Sequence, residues 1–163
     1  MAMAGGFVSC GGDHLAKKSE LVRARARLGL FKDILIVEDE NLDADRLSAT
    51  LRVLFGYDTQ IRCASTLGDA VDRVIEQKPC VLFLDDILKP SATASQAIPL
   101  LRDAGYVGPI VVVSGQVTHA RRSRLLADGA SDVIHKDDVD SVRVAEALSA
   151  LRAPQDHRQS SGV

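Results

Sequence analysis

From Asp33 onward, apolar runs of a few residues alternate with longer stretches whose apolar positions recur every three or four residues. The short runs suit strands of a sheet covered on both faces, and the longer stretches suit the helices that cover it. Strands are expected at Ile34 to Val37, Thr59 to Cys63, Val81 to Leu84, Ile110 to Val113 and Asp132 to His135. The spacing predicts a helix over Asp43 to Phe55, stopped by Gly56, with Leu47, Leu51 and Leu54 on its inner face. A second, Thr66 to Lys78, turns Leu67, Ala70, Val71, Val74 and Ile75 inward and ends at Pro79. The third, Ala94 to Ala104, ends at Gly105 and admits Pro99 only in or near its first turn, where a missing N–H breaks no bond. Two more follow, Thr118 to Asp128 before Gly129, and Ser141 to Leu151 with Val144, Leu148 and Leu151 facing in. Unbroken alternation of this kind predicts a single α/β unit around a parallel sheet.

A chain of 163 residues holds one such unit with a few dozen residues to spare. Residues 1–31 read as an N-terminal extension and residues 32–152 as the α/β domain, with residues 153–163 a polar tail. Within the extension, Leu15 to Leu28 carries a weak helical pattern with a basic face. The net charge of -2 offers no basic footprint for nucleic acid, and Lys17 to Arg27 lacks interleaved aromatics. No apolar run approaches the roughly 20 residues needed to cross a bilayer, and the N-terminus lacks the charged and apolar regions of a secretory signal. A cytoplasmic protein without membrane or DNA-binding output segments is expected. Three cysteines without C-x-x-C spacing fit a reducing compartment, with Cys63 and Cys80 expected as small core residues.

Ligands of open parallel sheets bind beyond the carboxyl ends of the strands. Those ends carry Glu38-Asp39-Glu40, Asp85-Asp86, Ser114-Gly115 and His135-Lys136. Carboxylates gathered within 4 Å repel by about 4 kcal/mol per pair at an effective dielectric near 20, so they need a cation or must protonate. Ligation by oxygen alone selects Mg²⁺, or Mn²⁺, and Mg²⁺ commonly works on phosphate oxygens. Lys136 and Ser114 are then placed to take the remaining oxygens of a phosphoryl group. His135, facing away from its neighbour Lys136, and His119, at a helix start, are read as structural. Arg121, Arg122 and Arg124 are read as a solvated face, with a partner-binding surface as the alternative.

Over about residues 32 to 151 these segments resemble the receiver domains of response regulators. The matching pieces are Asp33-Ile-Leu-Ile-Val-Glu38-Asp39-Glu40, Val81-Leu-Phe-Leu-Asp85-Asp86, Ile110-Val-Val-Val-Ser114-Gly115 and Gly129-Ala-Ser-Asp-Val-Ile-His-Lys136, in the family's order. The resemblance implies a flavodoxin-like (βα)5 three-layer sandwich with strand order 2-1-3-4-5. It implies Asp85 as phosphoacceptor, with Asp86 as the alternative, because Pro90 stands four residues after Asp86 while an apolar Leu88 stands three after Asp85. It implies Mg²⁺ held by Glu38, Asp39, Asp85 and the backbone carbonyl of Ile87, with Lys136 and Ser114 on the phosphoryl oxygens. The donor would be a histidine kinase or histidine phosphotransfer protein. The chain would be a single-domain response regulator, a self-phosphorylating acceptor with autodephosphorylation more than a turnover enzyme, signalling by protein contact. Ile87 and Gln116, two beyond the acceptor and two beyond Ser114, would shape access for the hydrolytic water.

Three positions depart from the family's pattern. Lys89 stands where proline is usual, Val133 where an aromatic switch residue is frequent, and Asp137 where proline often follows the lysine. A rotating aromatic switch is thereby excluded, leaving Ser114 and loop 115–118 to respond to phosphorylation. The alternative reading is a phosphorylation-independent interaction module on the same fold.

Overall fold

The computed structural model describes residues 28–151. Five strands form one parallel sheet: β1 Asp33–Val37, β2 Gln60–Ala64, β3 Val81–Asp85, β4 Ile110–Ser114 and β5 Asp132–His135, in the order β2-β1-β3-β4-β5. The period-two geometry of a strand sorts their side chains into two layers. Ile34, Ile36, Val81, Phe83, Val111 and Val113 point to one face, beneath α1 (Asn41–Phe55) and α5 (Ser141–Ala150). Leu35, Val37, Leu82, Leu84, Ile110 and Val112 point to the other, beneath α2 (Leu67–Glu76), α3 (Ala94–Asp103) and α4 (His119–Asp128). This is the expected three-layer sandwich and strand order.

Local chemistry sets the helix ends. Thr66, Thr118 and Asp140 each cap a helix by accepting the backbone N–H of the residue three further on, at 3.1, 3.1 and 2.8 Å. Gly129 ends α4 with φ 114°, a left-handed conformation that a side chain would strain. Among the described residues, no helix is long and apolar enough to cross a membrane. Phe83 lies in the central strand and is 1 % exposed. Phe83→Ala is expected to cost about 3–5 kcal/mol through lost burial and a residual cavity, read as a lower midpoint of denaturant unfolding with an unchanged slope.

Several expectations are corrected. Pro99 is the sixth residue of α3, beyond the first turn, so the helix forgoes one backbone bond there. The burial of Ala94, Ala97, Ile98 and Leu101 against the sheet holds the helix despite that loss. Ile75 is 62 % exposed, because the inner face of α2 is filled by Ala70 and Val74. Cys63 is exposed, since β2 is an edge strand, whereas Cys80 is half-buried against the α1 and α5 layer. Most of the helical pattern from Leu15 lies outside the described residues; its last residue, Leu28, is buried in that same layer. An unforeseen antiparallel ribbon pairs Ile87–Leu88 with Ala92–Thr93 directly after β3.

Candidate functional site

Parallel register brings the strand ends level. Val37 pairs with Leu84, Asp85 with Val113 and Ser114 with His135, so the residues that follow each strand share one edge of the sheet. Glu38, Asp39 and Asp85 each place a carboxylate oxygen within 4.8 Å of the other two. Glu38 and Asp85 are buried, and burial pushes the Glu38 carboxyl up to about 7, with neighbouring Asp85 adding to the rise and the Glu40 N–H opposing it. The Glu40 N–H donates to Glu38 Oε1 at 3.0 Å. Burial likewise raises Asp85, against the pull of the Lys136 ammonium.

Lys136 follows β5 and reaches back across the sheet edge. Its Nζ donates to Asp43 Oδ2 at 2.8 Å and lies 3.3 Å from both Glu38 Oε2 and Asp85 Oδ1. Burial disfavours its ammonium, but the three carboxylates outweigh that cost and hold it charged. Asp39 Oδ1 is buried without a hydrogen-bond partner among the described residues. A cluster of acidic oxygens with one buried oxygen unpaired fits a hard divalent cation such as Mg²⁺.

Asp86 turns away from this cluster. Its N–H donates to Val113 O at 3.0 Å and its carbonyl accepts the Ala94 N–H at 2.8 Å, fixing it between β4 and α3. Its carboxylate, itself buried, is forked by Arg121, with Nε at 3.0 Å from Oδ2 and Nη2 on Oδ1. The Ser114 hydroxyl donates to the same Oδ2 at 2.8 Å and accepts the Gln116 N–H at 3.1 Å. Asp39, Asp85, Asp86, Ser114, Arg121 and Lys136 all line one open cleft at this edge, with Ile87, 66 % exposed, on its rim. Lys89 and Glu40 form an ion pair across that rim.

Of the residues singled out from sequence, Glu38, Asp39, Asp85 and Lys136 come together here and Ser114 and Ile87 line the same cleft; two more residues join them. Asp43, in the first turn of α1, is the shortest contact of Lys136. Arg121, expected on a solvated face, is instead committed to Asp86. Arg122 is also not free: it pairs with Asp132 at 2.8 Å and donates to Val133 O at 2.8 Å, leaving Arg124 as the exposed member of the run. The Nδ1 of His135 accepts the Asp137 N–H at 3.0 Å.

Residues 34–148 match the family described as the response regulator receiver domain. The chain belongs to this family. No curated protein matches the chain, but solved receivers share its fold. A two-component response regulator from Clostridium difficile has 20% identity and a TM-score of 0.65, covering 74% of this chain and 96% of that one. The BeF3-activated N-terminal receiver domain of Klebsiella pneumoniae RstA has 25% identity and a TM-score of 0.61, covering 74% and 98%. A Burkholderia pseudomallei response regulator, whose structure holds a phosphorylated aspartic acid, a calcium ion and citrate, has 23% identity and a TM-score of 0.62, covering 72% and 66%.

Proposed function

We propose that this receiver accepts a phosphoryl group on Asp85 from a phosphohistidine of a histidine kinase or histidine phosphotransfer protein, and signals in the cytoplasm through protein contact. One observation carries the choice of acceptor. Of two adjacent carboxylates, Asp85 stands with Glu38, Asp39 and Lys136, while Asp86 is already engaged by Arg121 and Ser114.

In the transfer, a carboxylate oxygen of Asp85 forms a bond to phosphorus as the bond to the donor imidazole nitrogen breaks; the imidazole leaves with that electron pair and takes up a proton. Lys136, at 3.3 Å from Asp85, holds the acceptor and balances charge on the arriving oxygens. Ser114 supplies a hydroxyl donor from the end of β4. Glu38, Asp39, Asp85 and the Ile87 carbonyl are the ligands proposed for Mg²⁺, with Mn²⁺ as a substitute, and the ion when bound neutralises charge on the phosphoryl oxygens. Hydrolysis of the acyl phosphate by water restores the Asp85 carboxylate and releases inorganic phosphate. The test is intact-protein mass spectrometry after incubation with acetyl phosphate: one added phosphoryl group with Mg²⁺ present and none after chelation supports the reading. No adduct with any phosphodonor, candidate kinases included, would favour the phosphorylation-independent module instead. That second reading draws on Val133, which fills the core where an aromatic switch is frequent.

Two further outcomes are expected. Glu38 rises from its ordinary value of 4.5 to about 7 on folding, so the folded state holds a proton that the unfolded chain releases. Its contribution to stability is therefore full at low pH and lost as pH rises from 4.5 to about 7. Bound Mg²⁺ offsets part of that loss. At about ten times its dissociation constant it adds about 1.4 kcal/mol, a rise in Tm of roughly 4 °C, at pH 8 and much less at pH 5. Thermal melts at both pH values, with and without the ion, check it. The apolar Ile87 at the cleft mouth hinders the hydrolytic water, so Ile87→Asn is expected to shorten the phosphoryl lifetime several-fold. An unchanged or slower loss of the adduct would contradict that role.

A further inference from the structure

The Ser114 hydroxyl has one proton to give. Two acceptors lie within reach: Asp86 Oδ2 at 2.8 Å and the Gln116 carbonyl at 3.0 Å. The charged carboxylate is the stronger of these. A phosphoryl group on Asp85 would bring a third acceptor, also charged, to the residue next in sequence to Asp86. Ser114 cannot donate to both, so the arrival of the phosphoryl group takes from Asp86 one of the bonds that hold its carboxylate.

What remains on Asp86 is Arg121, and Arg121 is the third residue of α4. Its backbone N–H is held by the Thr118 cap at 3.1 Å, so the guanidinium fork on Asp86 and the cap together tie the first turn of α4 to the end of β3. Asp86 is 4 % exposed and its backbone is pinned to β4 and α3, so it is the fixed end of that tie and α4 is the end that moves. The segment between Ser114 and Thr118 is three residues long, and its Gln116 N–H bonds the same Ser114 oxygen. A shift of Ser114 toward Asp85 therefore pulls on loop 115–118, which leads into the first turn of α4, and leaves the Asp86 carboxylate to the Arg121 fork.

We propose that Asp86 and Arg121 are positioning residues that hold the Ser114 hydroxyl away from the acceptor until phosphorylation, and that the exchange of this hydroxyl from Asp86 to the phosphoryl group displaces the first turn of α4. The tie stands in the place of the aromatic switch that Val133, 2 % exposed in the core, cannot provide. It rests on the acceptor reading of Asp85, and it assigns to Asp86 a task that requires it not to be the acceptor.

The test uses amide NMR spectra of the full chain with Mg²⁺, before and after saturation with beryllofluoride, the activating group of the similar Klebsiella receiver. Wild type is expected to shift signals both around Asp85 and Lys136 and along residues 119–128. Arg121→Gln and Asp86→Asn, at saturation judged by the signals around Asp85, are expected to lose at least half of the shift in residues 119–128. Their unloaded spectra should already lie displaced toward the loaded wild type there. Ser114→Ala should load without any response of α4. Arg121→Lys keeps the charge but not the two-pronged geometry and should fall between wild type and Arg121→Gln, which separates loss of the tie from loss of folding. An α4 response of wild-type size in Arg121→Gln and Ser114→Ala would overturn the proposal. Bound beryllofluoride seen in the fluorine spectrum of wild type, with the signals around Asp85 unmoved, would overturn the acceptor reading and this one with it.

Discussion

Asp85→Asn is expected to abolish the phosphoryl adduct altogether, while Asp86→Asn still gains a single group. An amide in place of the Asp85 carboxylate removes the proposed nucleophilic oxygen and one of three carboxylates that converge within 4.8 Å, so both the proposed reacting atom and a proposed ligand of the cation are lost. The same change at Asp86 removes neither. It replaces a charged fork to Arg121 with a neutral contact and frees the Ser114 hydroxyl, which alters the rate and leaves the acceptor in place. Intact-protein mass spectrometry of wild type and both variants, incubated with acetyl phosphate and Mg²⁺, reads the outcome. An adduct surviving in Asp85→Asn and missing from Asp86→Asn would move the acceptor by one residue, and the Ser114 exchange would then have no basis.

Most of this architecture is legible in the chain because a parallel sheet buried on both faces imposes strong patterning. Runs such as Ile34 to Val37 and Ile110 to Val113 have no other stable place, and Gly56 and Gly129 mark helix ends by conformation. The misreadings share a cause. Helical periodicity places Ile75 inward and residue type places Cys63 in the core, yet their exposure depends on which positions of a helix fill the inner face and which strand lies at the sheet edge. Pro99 breaks a local rule of helix formation because the packing of α3 on the sheet overrides it.

The site divides along the same line. Glu38, Asp39, Asp85, Ser114 and Lys136 stand at strand ends, where sequence position fixes location. Asp43 and Arg121 arrive from the first turns of helices, and their partners lie 93 and 35 residues away along the chain. Only the rotation of each helix about its axis decides whether such a residue faces the cleft, and a charged residue in a first turn is equally at home in solvent. Asp132 supplies a similar case at the edge of the sheet, where burial raises its carboxyl but Arg122, the Val133 N–H and Arg143 together hold it below its ordinary value.

Lys136→Met is expected to separate binding of the cation from the reaction it serves. In the folded protein the ammonium sits 3.3 Å from Glu38 and from Asp85, both proposed ligands of Mg²⁺. Two cations sharing those carboxylates repel by roughly 3 kcal/mol for each ion charge at about 5 Å and an effective dielectric near 20. Removing the ammonium therefore tightens Mg²⁺ binding, by at least tenfold when measured at a pH high enough to ionise Glu38, whose carboxyl the ammonium otherwise pulls down. Phosphoryl transfer moves the other way. The arriving group loses a charged donor aimed at its oxygens, a loss of the kind that costs about 10²–10³ in rate. Methionine keeps most of the apolar stem, so packing against the sheet edge is retained and the change acts through charge. A titration of Mg²⁺ by calorimetry and a time course of adduct formation, on the same preparation, read the two effects. Tighter ion binding with slower transfer assigns Lys136 to the phosphoryl group; weaker binding and unchanged transfer would make it only a brace between α1 and the sheet, through Asp43.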